Sequence, residues 1–153
     1  MQSLKFFIEG IPQPKGSMKS FAWIDRASGK ARSSITHGSS ETKYWQNWVS
    51  LKIKEVFHAP PSKGPIWVNL CVFVPRPKTI SEAKRKYPTV PPDHDKYTRC
   101  ILDAMTGIVY VDDSQVVGKI PTLPDGKFYA GTNYDEVETR HQPGVEITVR
   151  GLQ

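Results

Sequence analysis

The chain of 153 residues contains only two cysteines, and none of its four histidines stands at a zinc-like spacing from either thiol. This scarcity argues against a disulfide framework and a structural zinc site, so we expect Cys71 and Cys100 to be reduced core thiols. The chain also lacks an apolar run near the roughly 20 residues of a membrane-spanning helix. Its first residues alternate instead of forming an apolar signal block, which predicts a cytoplasmic protein that does not enter a membrane.

Acidic residues are scarce in the first part of the chain and concentrated in the second. Residues 1–92 carry 15 Lys and Arg against 5 Asp and Glu, whereas residues 93–153 carry 6 against 10. Such a distribution is typical of a basic surface that attracts a polyanion, beside an acidic site that would repel it unless a cation neutralised the site. A small basic protein whose solvated lysines bind nothing would show a similar net charge.

Hydrophobic periodicity predicts a single α+β domain over residues 1–153, with two main helices packed on a mixed or antiparallel sheet. The predicted helices cover about 40–58 and 94–106. The predicted strands are LKFFIEG, a hairpin in FAWIDRASGKARSSI, IWVNLCVFV, IVYV, a strand pair in QVVGKI and KFYAG, and the closing GVEITVRG. The segment at about 75–92 has five prolines and five Lys or Arg, which predicts an extended, mobile loop.

The block PPDHDKYTRCILDAMTGIVYVDD, residues 91–113, places five aspartates around the second predicted helix. Taken singly, each has an ordinary structural explanation, since aspartate is favoured at helix starts and in turns. On a helical wheel, Asp95, Arg99 and Asp103 share one face, opposite an apolar face formed by Tyr97, Cys100, Ile101, Ala104 and Met105. We therefore expect a helix with one buried face and one face that presents acid, base and acid.

The segment IVYV is predicted to be a strand that leaves the turn at Gly107 and runs back along this helix. If that strand is antiparallel to the helix axis, Asp112 and Asp113 reach the helix start, where Asp93 and Asp95 lie. Three or four carboxylates would then converge, and Mg²⁺ binds such oxygen donors together with water and a phosphate. The block therefore indicates a divalent-metal site.

The strings PDHDKYTRCILDAMTG and VYVDDSQV resemble the core signature of the RusA-type Holliday-junction resolvases, metal-dependent endodeoxyribonucleases of bacteria and their phages. GIPQPKGSMKS also resembles the family's opening segment and GVEITVRG its closing strand, so the resemblance spans most of the chain. It implies that Asp93, Asp95 and Asp113 are catalytic metal ligands, with the adjacent Asp112 as an alternative. It also implies Mg²⁺, or alternatively Mn²⁺, as cofactor, branched DNA as substrate, and a homodimer.

Three positions depart from the family pattern. His94 stands where an apolar residue is usual, Lys96 stands where asparagine is usual, and Arg99 replaces a lysine. Arginine keeps the positive charge and can hold a phosphate, but it cannot give up a proton as a lysine can. We therefore expect Arg99 to stabilise developing charge, with ion pairing to Asp95 or Asp103 as the structural alternative.

The metal site and the basic surface predict hydrolysis of a nucleic-acid phosphodiester, and the family resemblance implies that the substrate is a four-way DNA junction in recombination and repair. A junction has near two-fold symmetry and needs two matched cuts, which a symmetric homodimer can make; Phe7 is one candidate for its surface. Contacts to backbone phosphates are expected from a set of basic side chains: Lys15, Lys19, Arg76, Lys78, Lys84, Arg85, Lys86 and Lys96. For the loop residues among them, solubility is a competing explanation.

Two other functions stay open. One is a non-catalytic protein that binds branched or single-stranded DNA, in which the aspartates are only caps and turns. The other is a metal-dependent phosphohydrolase of nucleotides, which the absence of a Gly-rich phosphate loop of the Walker kind disfavours.

Overall fold

The computed structural model describes residues 2–16, 19–36 and 39–152, without the side chains of residues 19–21 and 33–36. The predicted α+β class is confirmed. In chain order the elements are β1 (Leu4–Glu9), β2 (Lys19–Ile24), β3 (Ala31–Thr36), α1 (Ser40–Val56), β4 (Ile66–Val74), α2 (His94–Met105), a 3₁₀ turn η1 (Asp113–Gln115), β5 (Val116–Gly118), β6 (Gly126–Tyr129) and β7 (Gly144–Gly151).

A five-stranded sheet is built around β4, which is apolar except for Asn69, as expected of a strand that is covered on both faces. Strand β7 pairs antiparallel with both β1 and β4, while β5 and β6 pair parallel with the two ends of β4. Alternate residues of β4, among them Leu70 and Val72, join the helices in the main core. Cys71 and Phe73 face the other way and pack in a smaller cluster with Tyr134 and Val137. Both helices therefore lie on one face of a mixed sheet.

Helix α1 begins at an N-cap, because the Ser39 hydroxyl accepts a hydrogen bond from the backbone N–H of Thr42 (3.2 Å). Its buried stripe, Thr42, Trp45, Val49 and Ile53, follows the helical period and packs in the core. The Ser50 hydroxyl donates to the carbonyl of Ala104 (2.9 Å) and links α1 to α2. These contacts hold α2 in a fixed position against the sheet.

The prediction of a strand at IVYV is wrong. Residues 107–109 form a tight turn, and Tyr110 makes only isolated bridges, to Ser62 and Thr106. Val109 and Tyr110 are fully buried, and the Tyr110 hydroxyl donates to the carbonyl of Leu102 (2.7 Å). These two residues therefore fill the core beneath the C-terminal end of α2 instead of pairing as a strand, while Val111 is exposed.

The strands in QVVGKI and KFYAG form, but they pair with β4 and not with each other. Phe7 is half-buried, since its ring packs edge-on against Phe73 (6.2 Å between ring centroids) with the guanidinium of Arg140 over it. Less of its side chain is therefore open to a second subunit than an outward-facing position suggests.

Both cysteines are free and buried, as expected. Burial raises the pKa of Cys71 to about 12 and that of Cys100 to about 11, so both remain protonated thiols near neutral pH. Over the described ranges of the chain, no helix has both the length and the apolar character needed to cross a bilayer.

Candidate functional site

Three exposed aspartates lie on two elements that contact each other, α2 and η1. Asp93 occupies the N-cap position of α2, Asp95 lies in its first turn, and Asp113 opens η1. A capping role would explain Asp93, but its side chain makes no capping hydrogen bond to the helix. Helix capping therefore does not explain an aspartate at position 93.

Most other aspartates of the described residues are engaged by protein groups. Asp103 pairs with the ammonium of Lys15, Asp112 accepts from the backbone N–H of Ser114 (2.9 Å), and Asp125 accepts from the backbone N–H of Leu70 (3.0 Å). No such bond to a described residue involves Asp93, Asp95 or Asp113. Their oxygens are thus open to solvent and to a hard cation.

Asp112 and Asp113 are adjacent but differ in their surroundings. The Asp112 side chain caps η1, and Gln115 completes a reciprocal capping box by accepting from the backbone N–H of Asp112 (2.9 Å). Hydrogen bonds from the hydroxyl and backbone N–H of Ser114 lower the pKa of Asp112. Gln115 also donates to the carbonyls of Ser62 (2.9 Å) and Gly64 (2.8 Å). Asp112 therefore anchors a fixed turn that carries Asp113.

In the described part of the chain, no three or more His, Cys, Asp or Glu side chains are grouped so that they could hold a metal ion. The three exposed carboxylates thus lie on contacting elements without closing a protein cage. Mg²⁺ does not need such a cage, because it commonly keeps several waters and binds through one or two carboxylates and substrate phosphates. The donor set, all carboxylate oxygens facing solvent, fits this ion; that the three aspartates share one ion stays a prediction.

Arg99 is exposed on α2, one turn after Asp95. The alternative of an ion pair with Asp95 or Asp103 is not formed, since Asp103 is paired with Lys15 instead. The backbone N–H of Lys15 donates to the carbonyl of Lys96 (3.0 Å), so the opening segment lies directly along this helix. The guanidinium of Arg99 is therefore available to an anion.

Lys127 of β6 was missed by sequence reasoning, because its partners Val90 and Pro92 lie far from it in the chain and no local pattern indicates these contacts. Its ammonium donates to the carbonyls of Val90 (2.6 Å) and Pro92 (2.7 Å), the residues that lead into Asp93. Burial lowers the pKa of Lys127, and the charge of Asp93 opposes that shift. Lys127 thus holds the approach to α2 and adds positive charge beside Asp93.

Asp125 was also missed, and it connects α2 to the sheet through His94. The His94 Nε2 atom lies 3.4 Å from the Asp125 carboxylate and 3.4 Å from the hydroxyl of Thr98. Burial acts to raise the pKa of Asp125, but hydrogen bonds from His94 and from the Leu70 N–H lower it overall. His94, one of the departures from the family pattern, therefore has a structural partner.

The proline-rich loop, residues 75–92, contains no helix or strand, as its composition predicts. Arg76 donates to Thr132 (2.6 Å) and to the carbonyls of Arg85 and Lys86, and the Arg85 Nε atom donates to the Tyr129 hydroxyl (2.9 Å). Both arginines therefore hold the loop against β6. Lys78, Lys84 and Lys86 are exposed, whereas the side chain of Lys19 falls outside the described part of the chain.

Comparison with known proteins adds two findings. The model of the family described as "Endodeoxyribonuclease RusA" matches residues 23–150. The chain is also similar to "Uncharacterized protein YqaN" of Bacillus subtilis (strain 168), with 29% identity over 163 residues that cover 98% of this chain and 97% of the relative. The family match includes α2, η1 and all of the candidate carboxylates.

Proposed function

Because the chain belongs to the RusA endodeoxyribonuclease family, we propose that it is a Mg²⁺-dependent enzyme that resolves four-way DNA junctions by phosphodiester hydrolysis. Family membership supports the nuclease activity, while the metal and the junction substrate are our proposal. The observation that carries it is the set of three exposed carboxylates, Asp93, Asp95 and Asp113, that no described residue engages. In a protein that only binds DNA, three uncompensated carboxylates would repel the phosphates and weaken binding.

Asp93, Asp95 and Asp113 are the residues proposed to hold the ion through carboxylate oxygens. When bound, Mg²⁺ supplies charge stabilisation at the scissile phosphate and a more acidic water. Arg99 is proposed to donate N–H bonds to the phosphate oxygens as their negative charge grows. Since a guanidinium keeps its proton, water and not Arg99 would protonate the leaving oxygen.

The basic side chains around this site are proposed to contact backbone phosphates, which gives affinity without sequence reading. Lys78, Lys84 and Lys86 of the proline-rich loop are exposed and suit this role best. Lys96 on α2 is half-buried, and Lys15, Arg76 and Arg85 form bonds within the chain, so we expect smaller contributions from these four. Lys19 remains part of the proposal from its sequence position.

A four-way junction presents two equivalent strands to be cut, and a homodimer with one site in each protomer matches that symmetry. We propose this assembly, acting in the cytoplasm of a bacterium or a phage-infected cell. The dimer would allow both cuts within one complex, before a singly nicked junction dissociates.

The proposed function is tested by incubating the protein with a synthetic four-way junction and a linear duplex of matched arm sequence, with Mg²⁺, with Mn²⁺ and with chelator. We expect symmetrical nicks in the junction alone, lost in chelator and restored by excess Mg²⁺. Equal cutting of the linear duplex would indicate a general nuclease. Binding without metal-dependent nicks would indicate a DNA-binding protein without catalysis.

Arg99→Ala is expected to lower kcat for junction cleavage by about 10- to 100-fold, because an exposed guanidinium that stabilises the transition state is lost. Arg99→Lys should recover part of this loss, since the positive charge remains but the planar fork does not. Single-turnover cleavage at saturating protein measures the effect. Arg150→Ala, which removes an exposed arginine from β7, serves as the control and should cleave like the wild type. Equal rates for Arg99→Ala and Arg150→Ala would remove Arg99 from the mechanism.

A further inference from the structure

The β2–β3 hairpin is a two-stranded sheet separate from the five-stranded sheet. Of residues 22–32, all except the half-buried Asp25 are exposed, and Trp23 and Ile24 expose 47% and 71% of their surface. An isolated hairpin of two strands is only marginally stable in water, because it buries too little apolar surface. The exposed tryptophan and isoleucine therefore indicate a hairpin that is completed by contact with another molecule.

The charge of the hairpin indicates which kind of molecule contacts it. Residues 19–36 include Lys19, Arg26, Lys30 and Arg32 against the single acid Asp25. The Asp25 carboxylate accepts from the backbone N–H of Ala27 (2.9 Å) and from Arg32 (3.1 Å), so its negative charge is compensated within the hairpin. Arg26 and Lys30 remain exposed near the tip. A second copy of the same basic hairpin would be repelled, whereas a polyanion is attracted.

The base of the hairpin is fixed close to the candidate site. Before β2, the backbone N–H of Lys15 donates to the carbonyl of Lys96 on α2 (3.0 Å). After β3, the Thr42 hydroxyl in the first turn of α1 donates to the carbonyl of Pro14 (2.9 Å). Lys19 follows Lys15 by four residues, so β2 starts no more than about 14 Å from that contact. A six-residue strand then extends for roughly 20 Å, so DNA bound at α2 lies within reach of the arm.

We propose that the β2–β3 hairpin is a DNA-binding arm that contacts the branched substrate outside the cleavage site. Arg26 and Lys30 bind backbone phosphates, and Trp23 stacks on a base that is unstacked at the branch point. A linear duplex offers the phosphates but not the unstacked base, so the arm favours branched DNA. This inference rests on the proposed function, because it takes branched DNA as the substrate.

The test compares the binding of a four-way junction and a linear duplex in chelator, where no cleavage occurs. Trp23→Ala should weaken junction binding by roughly fivefold or more and leave duplex binding nearly unchanged. Trp23→Phe should restore most of the loss, since a smaller aromatic ring still stacks. The double variant Arg26→Ala/Lys30→Ala should weaken both and reduce the slope of log K against log salt by about 1.8, or 0.9 for each phosphate contact.

A matched control is Lys54→Ala/Lys63→Ala, which removes the same charge from exposed positions outside the hairpin. If the hairpin variants bind junctions as tightly as this control while the wild type binds and cuts them, the proposal of a DNA-binding arm is wrong and the proposed function stands. If the wild type neither binds nor cuts branched DNA, the proposed function and the arm both fail. Sedimentation tests whether the hairpin is instead an interface between copies. If Trp23→Ala converts a dimer to a monomer and junction binding falls only as much as the loss of dimer accounts for, the proposal of a DNA-binding arm is wrong.

Discussion

Asp113→Asn is expected to reduce junction cleavage by a factor on the order of 10²–10⁴ while leaving junction binding as tight as in the wild type or tighter. The substitution keeps the size and polarity of the side chain but removes the charge that holds the ion. Binding is preserved because repulsion between that carboxylate and the phosphates also falls. Cleavage in single-turnover reactions with Mg²⁺ and mobility shift in chelator measure the two quantities separately.

The adjacent aspartate provides a matched control for this result. Asp112→Asn should cleave within about threefold of the wild type, because asparagine caps a helix start as well as aspartate does. The structure predicts this contrast, since the side chain of Asp112 is bonded to Ser114 whereas the side chain of Asp113 is bonded to no described residue. A similar loss in both variants would indicate that the turn as a whole is disturbed, and undiminished cleavage by Asp113→Asn would exclude Asp113 as a metal ligand.

Asn69→Leu is expected to lower the free energy of unfolding by about 3 kcal/mol. Asn69 lies on β4 with 2% of its surface exposed. Its side chain donates to the carbonyls of Leu123 (2.9 Å) and Pro124 (3.1 Å) and accepts from the backbone N–H of Ile120. Leucine of similar volume would leave three backbone groups without these partners. Urea denaturation measures the loss directly, and the Tm should fall by roughly 6–12 °C.

Thr148→Val is the control for Asn69→Leu, since Thr148 is also a buried polar residue of the sheet but its hydroxyl is bonded to no described residue. This substitution should lower the free energy of unfolding by less than about 1 kcal/mol. The Asn69 bonds also hold the segment that ends in Asp125, so Asn69→Leu should weaken junction cleavage as well as stability. A loss of stability no larger than that of Thr148→Val would show that the 120–124 segment is held by other contacts.

Local pattern was enough to predict the elements that carry the site. The helical period over DKYTRCILDAM predicted both the buried and the exposed face of α2, and the structure confirms Tyr97, Cys100, Ile101, Ala104 and Met105 as buried. The apolar run at 66–74 predicted a central strand for the same reason. The family could be identified from short strings, because the residues of its signature lie close together in the chain.

IVYV shows where local pattern was insufficient. A run of four apolar residues is compatible with a strand or with a buried turn, and its conformation depends on which hydrogen-bonding partners lie near it in the fold. Here the Tyr110 hydroxyl bonds to Leu102, and the backbone of Val109 accepts from Ser62 (2.9 Å). Contacts across the fold therefore decided the conformation of this segment.

The sequence by itself determined the class of fold, the two helices, the family and the acids worth testing, because all of these follow from residues near one another in the chain. Only the tertiary structure separated Asp112, which caps a turn, from Asp113, which is left open. It also brought Lys127 to the approach of Asp93 and Asp125 to His94, and it left the β2–β3 hairpin outside the core. The bond from Ser114 to Asp112 is local, but the turn is held in place by the bonds of Gln115 to Ser62 and Gly64. The other outcomes likewise depend on contacts between segments that are distant in sequence, about which local periodicity carries no information.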